Sequence, residues 1–124
     1  MGLFEVEVTI SNPAAPERMI RPKLLVDTGA TLTWVPRAML DSIGIVPVGS
    51  RTFLLADGRR VERQTGIIAV SLDGVPMGAS AVFAEPSDGA ILGATALEAL
   101  GVAVDPVGKK LLPRDLMAVG ASAF

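Results

Sequence analysis

Apolar and polar residues alternate from the start of the chain. Phe4, Val6, Val8 and Ile10 interleave with Glu5, Glu7 and Thr9. A period of two places the first set on one face of an extended segment and predicts a half-buried strand. Residues 12–16 carry Asn12, Pro13 and Pro16 and read as a turn or loop. Leu24-Leu25-Val26 is a short continuous apolar run, as in a strand buried on both faces, and it stops at Asp27-Thr28-Gly29. A second run covers residues 32–35. Pro36 then suits the first turn of a short helix through Ile43, where its missing N–H is not needed, and Gly44 closes that helix.

Further along, residues 52–56 and 60–64 flank Asp57-Gly58-Arg59, and residues 65–72 and 75–84 flank Asp73-Gly74. Asp-Gly between such runs predicts two hairpins. Residues 85–89 form a loop. Ala90-Ile91-Leu92 is another short buried run, followed by Gly93, by Thr95 as a cap, and by a helix over residues 96–100 that ends at Gly101. A strand over 102–104, a turn over 105–108 and a strand over 109–112 complete a domain spanning residues 1–113. Residues 114–124 read as a loosely ordered tail. One echo stands out: Leu24-Leu25-Val26 and Ala90-Ile91-Leu92 each lead into a glycine turn and then a short helix. Two half-domains of similar plan would produce such a pattern.

Composition narrows the chemistry. The chain has 124 residues, enough for one domain, with 50% hydrophobic residues and a mean hydropathy of +0.51. Aromatics are only 4%, so the core is built from aliphatic residues and methionine, Met19, Met39, Met77 and Met117 among them. Thirteen glycines and nine prolines favour short strands over long helices. Histidine, cysteine and tyrosine are all absent. That excludes Ser-His and Cys-His catalysis, disulfides, thiolate zinc sites and His-ligated metals. Any general acid or base is then Asp, Glu or Lys. A net charge of −2 makes no case for nucleic acid as a partner. No window approaches the roughly 18 apolar residues of a membrane helix, and the first ten residues do not read as a signal peptide. A soluble cytoplasmic protein is the expectation.

Asp27-Thr28-Gly29-Ala30 is the site candidate. An Asp directly after a buried strand and facing inward is desolvated, and burying it is costly unless it is hydrogen-bonded. Thr28 and Gly29 supply a hydroxyl, a backbone N–H and a tight turn. A carboxylate fixed in this way suits general acid/base work. The triplet alone is weak evidence, because an ordinary Asx turn uses the same residues.

The wider pattern resembles the retropepsin-like aspartic proteases. Leu25-Val26-Asp27-Thr28-Gly29-Ala30 looks like their active-site segment, and Ala90-Ile91-Leu92-Gly93 looks like their second signature of two apolar residues and Gly. Asp57-Gly58 lies about 30 residues after Asp27, where the family carries its flap hairpin. Trp34-Val35-Pro36 resembles the segment that follows the first catalytic Asp in pepsins. The resemblance implies an all-β fold, a small closed barrel-like lobe with one or two short helices, working as a two-fold homodimer. It implies endopeptidase activity on a peptide or protein substrate, with Asp27 catalytic and Thr28, Gly29 and Ala30 supporting the loop. Ala56, Asp57 and Gly58 would cover the substrate, and Ile91, Leu92 and Gly93 would form the second signature. Neither metal nor organic cofactor is implied. Because the chain has one Asp-Thr-Gly, the dyad would need Asp27 from each of two subunits.

There are departures from the viral pattern. Viral members carry acidic residues where this chain has Thr31 and Leu32, and an Arg where it has Ala94. Their interface charge network is therefore missing. Arg59, Arg60 and Arg63 read as a solvated face of the hairpin, Trp34 as core beside the active-site loop, Gly93 as a close-packing position and Asp88-Gly89 as a plain turn. Two readings compete with the protease: a peptide-binding or dimerisation module of the same fold with little or no turnover, and an unrelated β-barrel in which Asp27 is merely a turn residue.

Overall fold

The computed structural model describes residues 2–115. Eleven strands and two helices are found among these residues. β1 (Gly2–Glu7) and β2 (Thr9–Asn12) realise the first alternating segment, with Val8 and Ile10 buried and Glu5 and Glu7 exposed. β4 (Lys23–Asp27), β5 (Thr33–Pro36), β8 (Met77–Ala84) and β9 (Ile91–Leu92) are the apolar runs. α1 (Arg37–Ser42) follows Pro36, and Gly44 beyond it has φ +78°. The last carbonyls of α1 are not orphaned. Ser42 O accepts from Arg18 Nη2 at 3.1 Å and Ile43 O from Asn12 Nδ2 at 2.9 Å.

Nine strands form one sheet in the order β1-β4-β9-β5-β8-β7-β2-β3, with β6 (Gly49–Leu54) paired to β7 (Arg60–Ser71) off this path. The pairings among the described residues run from β1 to β3 and do not close the barrel that was expected. β4 pairs parallel with β9, in register Leu25↔Ile91 and Val26↔Leu92. The two echoing runs therefore lie side by side and point the same way. The core joins Ile10, Leu24, Leu40, Ile68, Phe83 and Leu92, each with no exposure. Of these six only Phe83 is aromatic, in keeping with the composition.

Three expectations need correction. The 12–16 loop is only a turn at Pro13 and Ala14, held by the Ala14 N–H donating to Asn12 Oδ1 at 2.9 Å. The chain returns at once as β3 (Ala15–Ile20), an edge strand with both faces largely exposed, so it has no apolar alternation to betray it. Residues 60–64 and 65–72 are not two strands but one, β7, which pairs β6 in its first half and β8 in its second. Thr95 is not a cap: α2 (Ala94–Ala99) starts after Gly93 with no side-chain cap, and the Thr95 hydroxyl donates instead to Thr31 O at 2.8 Å.

Met19 is 43% exposed and is not packing, whereas Met39 is packed against the core. β10 (Val102–Asp105) and β11 (Lys110–Pro113) form the small second sheet. Arg114 N–H donates to Gly101 O at 2.7 Å. Met117 and the rest of the expected tail beyond Asp115 lie outside the described residues. No helix of the described residues is long and apolar enough to cross a membrane.

Candidate active site

The parallel pairing of β4 and β9 brings the ends of both strands to one end of the sheet. β4 ends at Asp27 and β9 at Leu92, next to Gly93. Gly29 N–H donates to Asp27 Oδ1 at 2.9 Å, and Ala30 N–H to Asp27 O at 3.3 Å. The Asp-Thr-Gly turn thus holds its own carboxylate. Asp27 is half-buried, not enclosed as its place after a buried strand suggested, while Thr28 and Gly29 are exposed.

Gly93 ties this turn to α2. Its N–H donates to the buried Thr33 hydroxyl at 3.1 Å, Ala94 N–H donates to Ala30 O at 2.7 Å and Thr95 N–H to Thr31 O at 3.1 Å. A Cβ on Gly93 would run into the Leu32 carbonyl and lie 2.9 Å from Ala30 O. The glycine permits close backbone approach, as expected of a close-packing position. Where the viral pattern carries charges, Thr31 and Ala94 here join the two loops through backbone groups and one hydroxyl.

A cleft of about 970 Å³ opens over the turn. Asp27, Gly29, Ala30 and Ile91 lie on its floor, and the β6–β7 hairpin borders it through Phe53, Leu55, Ala56 and Val61. Phe53 and Leu55 face inward while Leu54 between them is 67% exposed, as strand alternation demands. Trp34 is 7% exposed and meets Phe53 edge to face, with ring centroids 5.1 Å apart, so it is core beside the loop as expected. Asp57 and Gly58 are not on the cleft wall but at the exposed tip. Gly58 has φ +88°, and its N–H donates to Leu55 O at 2.9 Å. Asp57 accepts from Arg59 N and Nε, and those bonds hold its carboxyl below the usual carboxylate range. Of the second signature, Ile91 reaches the cleft, whereas Leu92 and Gly93 are buried behind it.

Two charged residues depart from expectation. Arg63 is not part of a solvated face, nor is Asp88 part of a plain turn. Arg63 Nε donates to Asp88 Oδ2 at 2.8 Å and Nη2 to Oδ1 at 3.0 Å, with side-chain exposures of 18% and 8%. Both line the cleft. Hydrogen bonding to Arg63 holds the Asp88 carboxyl below its usual range, and Asp88 in turn pushes the Arg63 guanidinium up. The signal available was parity: Val61, Arg63 and Thr65 share the inward face of β7, while Arg60, Glu62 and Gln64 point out. Nothing in the sequence names Asp88 as the partner. Among the described residues no group of three or more side chains is placed to hold a metal ion.

No curated protein matches the chain. Among solved structures, EIAV protease in complex with the inhibitor HBY-793 is 18% identical, with a TM-score of 0.57 over 87% of this chain and 90% of that one. The foamy viral protease-reverse transcriptase is 17% identical, with a TM-score of 0.56 over 94% of this chain and 13% of that one. A retropepsin-like aspartic protease from Rickettsia conorii is 21% identical, with a TM-score of 0.48 over 86% and 88% of the two chains. The first two likenesses establish a small, mostly-β retropepsin-like fold with few short helices. Residues 6–96 match the family model described as aspartyl protease. Given that match, the strand–turn order around Asp27 and the fold, the chain belongs to the aspartyl protease family in its retropepsin-like form.

Proposed function

We propose that the protein is an aspartic endopeptidase that works as a two-fold homodimer, with Asp27 of each subunit forming the catalytic dyad. The observation that carries this reading is the Asp27 carboxylate, held by Gly29 N–H on the floor of a cleft that the β6–β7 hairpin borders. The only other carboxylate lining that cleft among the described residues is Asp88, and it is engaged by Arg63. A dyad therefore calls for a second chain. Thr28 and Gly29 are exposed at this turn, and in such a dimer Thr28 would bond across the axis to brace both carboxylates.

In the mechanism, two carboxylates share one proton, because like charges so close do not both ionise. The ionised Asp27 takes a proton from a water whose oxygen attacks the scissile carbonyl carbon. The protonated Asp27 of the facing subunit donates to the developing oxyanion. As the tetrahedral intermediate collapses and the C–N bond breaks, the leaving nitrogen takes the proton that the first Asp27 gained from water, and the hydroxyl proton returns to the facing Asp27. The β6–β7 hairpin acts as the flap, with Ala56, Asp57 and Gly58 at its tip. It closes over an extended peptide and excludes water.

Cleavage of a mixed peptide library, with and without pepstatin, tests the reaction. Asp27→Asn abolishes cleavage and keeps the fold, because asparagine is nearly isosteric but does not exchange a proton. A mutant with wild-type turnover refutes the mechanism, and peptide binding without cleavage points to a binding module. Mixing tests the assembly. If subunits exchange, an equal mixture of wild-type and Asp27→Asn chains leaves about one quarter of the dimers fully wild-type by random pairing. Activity then drops well below half, whereas independent monomers lose only half.

A further inference from the structure

The β6–β7 hairpin is joined to the cleft floor by two kinds of contact. One is the apolar cluster of Trp34 with Phe53, Leu55 and Val61. Such contact is non-directional and tolerates sliding. The other is the Arg63–Asp88 pair, in which two parallel N–H···O bonds fix both distance and orientation.

Asp88 is itself held in place. Its Oδ2 also accepts from Glu85 N–H at 2.8 Å, and its own N–H donates to Glu85 O at 2.8 Å, which folds residues 85–88 into a closed turn. Glu85 is in turn bound by Arg37 Nε at 2.9 Å, and Arg37 lies over the Phe83 ring at 5.0 Å. On its far side the turn leads through Ala90, whose carbonyl accepts from Leu25 N–H at 3.0 Å, into β9. Ile91 pairs with Leu25, two residues before Asp27. A continuous set of directional bonds therefore runs from the hairpin stem to the strand that carries the candidate nucleophile-activating carboxylate. Drawing these half-buried charges out of water has a cost, and an apolar pair of similar volume would hold the fold as well. What the apolar pair would lack is a defined geometry.

We propose that Arg63 and Asp88 are a positioning pair that sets the height and register of the β6–β7 hairpin over the Asp27 cleft, and thereby how firmly an extended peptide is held for cleavage. This rests on the endopeptidase reading. Neither residue touches the reacting atoms. The pair acts through the hairpin, and both charges are satisfied by each other, so neither serves as a substrate-binding charge.

The test uses the full chain and the double variant Arg63→Met/Asp88→Asn. That variant leaves neither charge of the pair without its partner and keeps an amide oxygen able to accept from Glu85 N–H. Hydrogen exchange is read at Leu55 and Gly58, whose N–H groups close the hairpin tip. The expected result is a folded protein in which exchange there is at least about tenfold faster, while the amides of β4 are unchanged. With a cleaved library peptide, KM rises about tenfold and kcat changes by less than about threefold, because binding is lost and the dyad is intact. Arg63→Lys keeps the charge but loses the fork, and falls between wild type and double variant. A folded double variant with wild-type exchange at the tip and wild-type KM overturns the proposal. If the wild-type protein cleaves nothing, the endopeptidase reading falls on its own, and the exchange rates still decide whether the pair tethers the hairpin.

Discussion

Replacing Gly93 by alanine adds one methyl group at the junction of α2 and the Asp-Thr-Gly turn. The backbone there has φ −91° and ψ 175°, which alanine adopts freely, so conformational strain plays no part. The cost is steric. The new Cβ would meet backbone atoms only: the Leu32 carbonyl carbon at 2.6 Å, its oxygen closer still, and Ala30 O at 2.9 Å. Backbone has no rotamer with which to escape. Overpacking of this kind costs about 1–3 kcal/mol. Making room draws α2 away from the turn and stretches the bonds Ala94 N–H to Ala30 O, Thr95 N–H to Thr31 O and Gly93 N–H to the Thr33 hydroxyl. Each contributes about 1 kcal/mol. Stiffening of the unfolded chain returns about 0.4–1 kcal/mol. The net loss is about 2–4 kcal/mol, a fall in Tm of roughly 8–16 °C at about 4 °C per kcal/mol. Thermal melts followed by circular dichroism measure it, with Gly78→Ala as the control because nothing lies within 4 Å of a Cβ there. Cleavage should also fall by more than the unfolded fraction explains, because the turn that moves is the one holding Asp27. A Gly93→Ala protein that melts within 2 °C of wild type would refute the reasoning.

The Arg63–Asp88 pair makes a pH prediction. Asp88 is held below its usual range in the folded state, so the unfolded chain binds its proton first as pH falls. The pair's contribution is whole above the unfolded value of about 3.9 and is lost as pH drops through the lowered folded value. Arg59, Arg37 and Glu85 are the other charges near this turn. Melts of wild type and Asp88→Asn should therefore converge below about pH 4, and parallel curves down to pH 2 would contradict the assignment. Gly58→Pro removes the N–H that bonds Leu55 O and forbids the positive φ, so it should disorder the hairpin tip and raise KM while leaving the melting temperature nearly unchanged. An unaltered KM would show that the tip does not cover substrate.

Much of the strand plan was legible because burial on one face leaves a period of two, as in residues 4–10, and burial on both leaves a solid apolar run, as in residues 24–26 and 90–92. The turn glycines at 44, 58, 74 and 101, all with positive φ, marked the ends of elements. β3 was invisible because an edge strand with both faces largely exposed carries no burial pattern. Asp27-Thr28-Gly29 was legible as a candidate because its chemistry is local: the carboxylate accepts from an N–H two residues on.

Local pattern thus determined most of the elements, the aliphatic core and the loop that carries Asp27. Tertiary structure alone decided the rest. That β4 and β9 lie parallel, that Gly93 is pressed against Leu32 and Ala30, and that Arg63 finds Asp88 across the cleft are facts about residues 25 to 66 positions apart. A side chain's own sequence neighbourhood records whether it is buried, but not which distant group it is buried against. For an apolar residue that identity matters little, since the hydrophobic effect is non-directional. For a charge drawn largely out of water, as in this half-buried pair, it is decisive, because only a partner in the right geometry offsets the cost of leaving water.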